Sequence, residues 1–409
     1  MDLSLSFAEP ILKEYYDKAM VENLVYRDRP FFAMLKKKTD FVGEVQKLPL
    51  IYGNPQGASA TFSKALANKT NSKMKSFLLT ANSEYAVASI PNEVLLASSN
   101  DRGAFMGALT LEIDGAMDTV ARRLSIASFR SGSGSIGQIV STQSGSSTTL
   151  TLANADDIVN FEVGQAVVGD SVDGGGSVGT TVSFVVAIDR DIGTFQVAAS
   201  QGGVAITATA ADLAANQFIF IEGDYDTKMR GLRAWLPTSV ASNDNFFNVN
   251  RSSDKTRLAG IYLDCSGLDV EEALIKAETR VAREGGKPDY CFMNHTDFNR
   301  LKNELGTKIM YVDVKANTEA AINFKGIMLN GSRGVVTVLP DRDCPSGEFF
   351  MLTMPTWYLL SRGEPVQLFQ ADGQRVLREA NDDAVTARVV SYTQLGCAAP
   401  GWNCRGKLR

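Results

Sequence analysis

Residues 98–135, SSNDRGAFMGALTLEIDGAMDTVARRLSIASFRSGSGS, anchor the reading of this chain. Ser98, Ser99 and Asn100 are capping candidates, and apolar residues follow at Phe105, Leu109, Ile113, Ala116, Met117, Val120, Leu124 and Ala127. Steps of three and four place these on one face of a helix. The pattern runs for about 28 residues, about 40 Å of helix, and breaks at Ser131-Gly132-Ser133-Gly134-Ser135. A helix much longer than the usual three turns or so predicts a structural spine, with Gly103, Gly107 and Gly115 permitting close packing on one side.

Upstream, residues 8–26 carry Leu12, Tyr15, Tyr16, Ala19, Met20 and Leu24 at helical spacing. They predict an amphipathic helix, either a domain's first helix or an arm that docks on a neighbour. Pro30 is expected to stop it. Phe41 to Ile51 and Phe77 to Ile90 have strand character and bracket a polar stretch from Tyr52 to Ser76. This predicts a long hairpin with a polar tip. From Val45 through Ser83 there is no acid, yet there are lysines at 47, 64, 69, 73 and 75. Such a run is either a solvated loop or a basic arm reaching for an acidic surface or nucleic acid.

Downstream, residues 136–220 are rich in Thr, Ser, Val, Ala and Gly and contain no Lys. Strand-like runs TTLTL (148–152), GQAVVG (164–169), TTVSFVVAI (180–188) and FQVAA (195–199) predict an inserted β-sandwich or barrel. From 255 onward α/β character returns. A helix is expected over Leu268 to Glu284, a strand over Tyr290 to Met293 and a helix over Thr296 to Leu305. Further strands are expected at Gly326 to Leu329, Val335 to Leu339, Phe349 to Leu352, Thr356 to Leu360 and Ala384 to Leu395.

Composition excludes several classes. With 409 residues, 44% apolar and 21% charged, the chain is an ordinary globular protein with room for several domains. Five cysteines, an odd number without a CxxC pair, argue against a disulfide scaffold or structural zinc. No apolar run is long enough for a membrane span or signal peptide, which predicts a soluble chain made in the cytosol. The single histidine, His295, sits between Asn294 and Thr296 at an expected helix start, where capping or surface use is the plain reading. The string Gly174-Gly175-Gly176-Ser177-Val178-Gly179 matches GxGxxG but is followed by β-type residues, so it reads as a turn. Glu222, Asp224 and Asp226, and the pair Asp382 and Asp383, lack the spacing of a calcium loop and read as solvated turns. No nucleotide loop, zinc-protease motif or nucleophile elbow is present. No catalytic residue, cofactor or metal site is assigned, and weight moves to a structural role.

The order of parts, with YRDRPFFAML (26–35), NVNRSSDKTRLAG (248–260), GGKPDYCFMN (285–294), TDFNRL (296–301) and VVSYTQLGCAAPGWNCRGKL (389–408), resembles a tailed-phage major capsid protein of the HK97 fold. The resemblance implies an α+β architecture. Its parts would be an N-terminal arm (1–40), an E-loop hairpin (41–90), a P-domain with the spine (91–135), an inserted β-rich domain (136–220), a segment that is mainly A-domain (221–370) and a C-terminal return to the P-domain (371–409). It further implies self-assembly into hexamers and pentamers of an icosahedral shell in the host cytoplasm. A separate scaffolding protein, a portal and non-specifically held double-stranded DNA would be the partners, with no membrane. Lys64, Lys69, Lys73 and Lys75 are expected on the hairpin tip, meeting an acidic neighbouring surface. An encapsulin-like shell enclosing cargo enzymes is a second reading. A hydrolase with a β-rich accessory domain, using Asp, Glu or Ser chemistry with His295, is a third.

The net charge of -5 is uneven. Residues 131–218 hold eight acids and one base (Arg190), net -7, leaving 40 bases and 38 acids, net +2, on the other 321 residues. The acidity belongs to the insertion, which predicts that the insertion faces away from packaged DNA.

Overall fold

The computed structural model describes residues 18–91, 102–176, 178–316, 322–370, 376–378 and 383–409. The first half of the expected arm helix, the caps at Ser98 to Asn100, Ser177 and Asp382 lie outside them.

The spine is a single helix, Arg102–Phe129. Ile113, Met117, Val120 and Leu124 are buried at the expected spacing. Towards its C-terminus the helix is covered all round, with Ser125 and Ser128 fully buried beside Phe129. Gly115 supports no close contact, since a Cβ there would meet nothing within 4 Å. The tight packing is supplied elsewhere. A Cβ on Gly231 would stand 2.2 Å from the Ala127 carbonyl oxygen, and one on Gly134 2.3 Å from that of Asp224. Gly134 also has φ +92, a conformation that suits glycine.

Beside the spine lies a six-stranded sheet built on the long strand Ala384–Cys397. That strand pairs antiparallel with Asn82–Pro91 on one side and with Trp357–Ser361, Gln367–Leu368 and Val376–Arg378. Lys36–Lys38 adds a parallel edge strand against Trp357–Ser361. The helix Lys18–Tyr26 ends before Pro30, and Pro30 then opens a second helix, Pro30–Met34, at the position where proline costs no hydrogen bond. Phe31 on that helix packs on Phe129 (ring centroids 5.1 Å) and Phe292 (5.2 Å), joining arm, spine and the next sheet in one core.

The expected strand Phe77 to Ile90 is two strands. Val45–Gly53 pairs with Lys73–Thr80 as a separate hairpin, and the chain turns at Ala81 so that Asn82–Pro91 joins the spine sheet. Six residues inside the polar tip form a short helix, Phe62–Ala67.

Downstream, a seven-stranded mixed sheet runs in the order Ile261–Asp264, Cys404–Lys407, Glu348–Leu352, Tyr290–Met293, Val335–Pro340, Asn323–Asn330, Tyr311–Lys315. The helices Val270–Arg283 and His295–Leu305 pack into its core through Ala273, Leu274, Ala277, Val281 and Leu301. The C-terminal segment divides between the two sheets. Ala384–Cys397 lies beside the spine, and Cys404–Lys407 sits inside the seven-stranded sheet.

Between the spine and residue 222, six antiparallel strands have a core of their own, including Phe161 stacked on Phe195 (4.8 Å). Their order is Ser135–Gln138, Phe218–Ile221, Ala166–Asp170, Ser183–Asp189, Thr194–Ala198, Leu150–Thr151. The bridge between Ile139 and Leu152 joins the two ends. Of the two expectations, sandwich or barrel, this closure selects a barrel.

Candidate functional site

Among the described residues, the distal half of the hairpin leaves a run of side chains uncovered by the rest of the chain. Because side chains alternate along a strand, one face holds Leu48, Leu50, Phe77 and Leu79, and the other holds Val45, Lys47, Pro49, Ile51 and Met74. Near the root the first face is core: Phe77 and Leu79 are fully buried, and the Phe77 ring meets Trp235 edge-on at 5.0 Å. The Leu78 amide also donates to the Phe247 carbonyl (3.0 Å). Towards the tip burial ends. Ile51 and its cross-strand partner Met74 are about 60% and 58% exposed.

The tip is ordered by its own contacts. The Gln56 amide donates to Thr70 Oγ1 (2.8 Å), and the Thr70 amide donates to the Gln56 carbonyl (2.7 Å). On the helix within this loop, Phe62 and Leu66 stand one turn apart on one face, 81% and 52% exposed. Lys64 lies on the same helix and Lys69 just beyond it. Lys73 and Lys75 lie on the second strand, on the face that carries Phe77 nearer the root. All four are exposed, and among the described residues none is in an ion pair. The structure thus brings the four lysines to the distal half of one hairpin without placing them on one face. Phe62 and Leu66 are functional candidates that sequence reading passed over, although their four-residue spacing in TFSKALAN (61–68) was a usable signal.

Where the hairpin leaves for the spine sheet, a buried ion cluster fixes it. Glu84 pairs with Arg123 and Lys228, Arg123 holds Asp224 through both carboxylate oxygens (2.7 and 2.8 Å), and Lys228 reaches Asp224 at 3.1 Å. Asp224 is therefore not in a solvated turn. Burial pushes its pKa up against the pull of Arg123 and Lys228. Its neighbour Asp226 caps a turn, accepting from the Gly175 amide (2.7 Å). That turn, Gly174 to Gly176, leads to the strand Ser183–Asp189 and presents no helix N-terminus to a phosphate.

A second carboxylate pair secures the arm. The fully buried Asp341 accepts from the amides of Phe31 (3.2 Å) and Asp343 (3.0 Å), and Arg29 stands 3.9 Å from Asp343. Burial, then the adjacent Asp343 carboxylate, push the Asp341 pKa up to about 7. His295 is an exposed first residue of its helix, and the cap is Asn294, whose side chain accepts from the Thr296 amide (3.0 Å). All five cysteines are buried free thiols. Among the described residues no group of three His, Cys, Asp or Glu could hold a metal ion, and no helix is long and apolar enough to cross a membrane.

No family model and no curated protein matches the chain. Among solved structures it is similar over 93% of its length to the cyanophage A-1(L) capsid asymmetric unit, covering 92% of that chain at 12% identity and TM-score 0.53. Looser likenesses are the capsid of the native GTA particle (10% identity, 94% and 91% covered, TM-score 0.47) and the SrpI encapsulin of Synechococcus elongatus PCC 7942 (9%, 93% and 86%, 0.43). The whole-length likeness to the cyanophage chain shows the fold.

Proposed function

We infer from this shared fold, the HK97-like capsid fold, that the chain is a non-enzymatic structural subunit of an icosahedral viral shell. The observation that carries the reading is the hairpin, a stalk rooted in the core whose distal half offers Phe62, Leu66 and four exposed lysines to something outside the chain. A subunit that tiles a closed surface needs heterologous contacts that tolerate several curvatures. A rooted stalk supplies them, burying area on a neighbour while its root stays fixed. In this reading the chain forms hexamers and pentamers, with a separate scaffolding protein and a portal. It encloses double-stranded DNA held by non-specific contact, and it assembles in the host cytoplasm.

Electron microscopy of the expressed chain, alone and with its scaffolding protein, tests this. Closed shells are expected, and a persistent monomer under both conditions would overturn the proposal. The contents separate two uses of one fold: DNA in native particles supports the viral shell, and a packaged enzyme would point to an encapsulin-like compartment. Charge reversal at Lys64, Lys69, Lys73 and Lys75 should impair assembly with the subunit's circular dichroism unchanged. Unimpaired assembly would remove these lysines from the contact.

A further inference from the structure

Along the first strand of the hairpin runs a groove of about 660 Å³. Pro49, Leu50, Ile51, Tyr358, Pro355 and Trp402 give it an apolar, aromatic wall, and Trp402 is 43% exposed. Its lip is cationic. Lys38 Nζ lies 3.9 Å and Lys36 Nζ 5.9 Å from the Tyr358 ring centroid, and Arg257, a lining residue, donates to the Tyr52 carbonyl (2.6 Å). Lys75 and Lys73 stand across the hairpin from Leu50 and Gly53. The one lining carboxylate, Glu284, is held by Arg280 at 2.5 Å, and Arg257 has Asp254 at 3.8 Å. The lining itself is charge-balanced, and the surplus positive charge comes from the four lysines beside it, so an apolar tip flanked by carboxylates would satisfy both the wall and these lysines.

Among the described residues one turn of the barrel is such an element. In the barrel turn Asp189-Arg190-Asp191-Ile192, Ile192 is 62% exposed and both aspartates are exposed. Asp189 Oδ1 accepts from the Asp191 amide (3.0 Å) and shapes the turn. Arg190 does not neutralise the pair. Its guanidinium turns back to Glu162 (2.9 Å) and the Phe161 carbonyl (3.1 Å), leaving two carboxylates and an isoleucine at the tip. Among the described residues no hydrogen bond or ion pair joins this turn to the groove within one chain, so the complement is available only between copies.

We propose that the Asp189–Ile192 turn of one copy seats in the groove beside the hairpin of a second copy, Ile192 against the aromatic wall and the two aspartates against the lysines. The proposal rests on the shell reading and names the surface that receives the hairpin side of a neighbour. The contact is heterologous, turn to groove, so it propagates around a ring.

The test mixes Ile51→Cys copies with Ile192→Cys copies and oxidises them. Both positions are exposed and the native thiols are buried, so the new cysteines carry the signal. A disulfide-linked dimer is expected from the mixture and not from either variant alone. Adding Asp189→Lys and Asp191→Lys to the Ile192→Cys copies should cut the linked fraction about tenfold, and Lys73→Glu with Lys75→Glu on the partner copies should restore it. Shells that form normally without the cross-link would overturn the contact and leave the shell reading standing. Cross-linked copies that never close into shells would do the reverse. A groove that binds fluorescent oligo-dT in a Lys73- and Lys75-dependent way, without the cross-link, would reassign it to nucleic acid.

Discussion

Replacing Glu84 by Gln should destabilise the unassembled subunit by about 3 kcal/mol, the low end of what breaking a buried ion pair costs. The cluster is balanced, with Glu84 and Asp224 against Arg123 and Lys228. Glu84, Asp224 and Lys228 side chains are 5%, 10% and 11% exposed, while Arg123 at 25% retains some water. Removing one negative charge leaves an uncompensated cation where solvent cannot reach it well, and Arg123's partial exposure sets the low end. Urea unfolding followed by tryptophan fluorescence is the assay, because Trp235 and Trp357 are fully buried in the core that roots the hairpin. The companion variant Lys228→Met restores neutrality in the Glu84→Gln background. It should recover at least half of the loss, a coupling of about 1.5 kcal/mol between neighbours in one network. A single-variant loss below about 0.5 kcal/mol, the range of ordinary surface changes, would refute the view that this cluster holds hairpin, spine and barrel exit together.

Other outcomes follow from the same packing. Asp341 has a folded pKa of about 7, above its unfolded value, so its contribution to stability is fully present in acid and is lost as pH rises through 7. Asp341→Asn should therefore flatten the fall in stability between pH 5.5 and pH 8 seen by differential scanning calorimetry, and an unchanged slope would count against it. Gly231→Ala places a methyl within 2.2 Å of a spine carbonyl and should cost about 2 kcal/mol or more, since overpacking forces backbone to shift; wild-type urea stability would contradict the close approach. The barrel, expressed as residues 134–222, should show cooperative thermal unfolding by circular dichroism because its core is internal; a non-cooperative profile would mean that the spine completes it.

Much of this architecture was legible where one periodicity controls a long segment. The helix Val270–Arg283 follows from apolar spacing because it buries one face, the spine follows from the same periodicity over Ile113 to Leu124, and the strand Tyr290–Met293 follows from a short apolar run buried on both sides. The split at Ala81 was not legible, since Lys73–Thr80 and Asn82–Pro91 both have strand character and only their different partners separate them. The destination of Cys404–Lys407 was hidden for the same reason: four residues with a partner far upstream carry no local signal. Of the candidate site, the lysines were visible as charge. Their distribution over two elements and the exposed Phe62 depend on which hairpin face the core covers.

The placement of Cys404–Lys407 between Ile261–Asp264 and Glu348–Leu352 also orders events in time. The barrel closes through pairings within one continuous stretch, so its loop-closure entropy is modest and it can form early. The seven-stranded sheet cannot be completed until a late segment is threaded between two strands made long before. Until then those two strands have exposed ladders towards each other, the kind of edge that recruits other chains. The topology thus predicts that the acidic barrel finishes while the sheet beside it is still open. During that interval the barrel's like charge would keep unfinished copies apart.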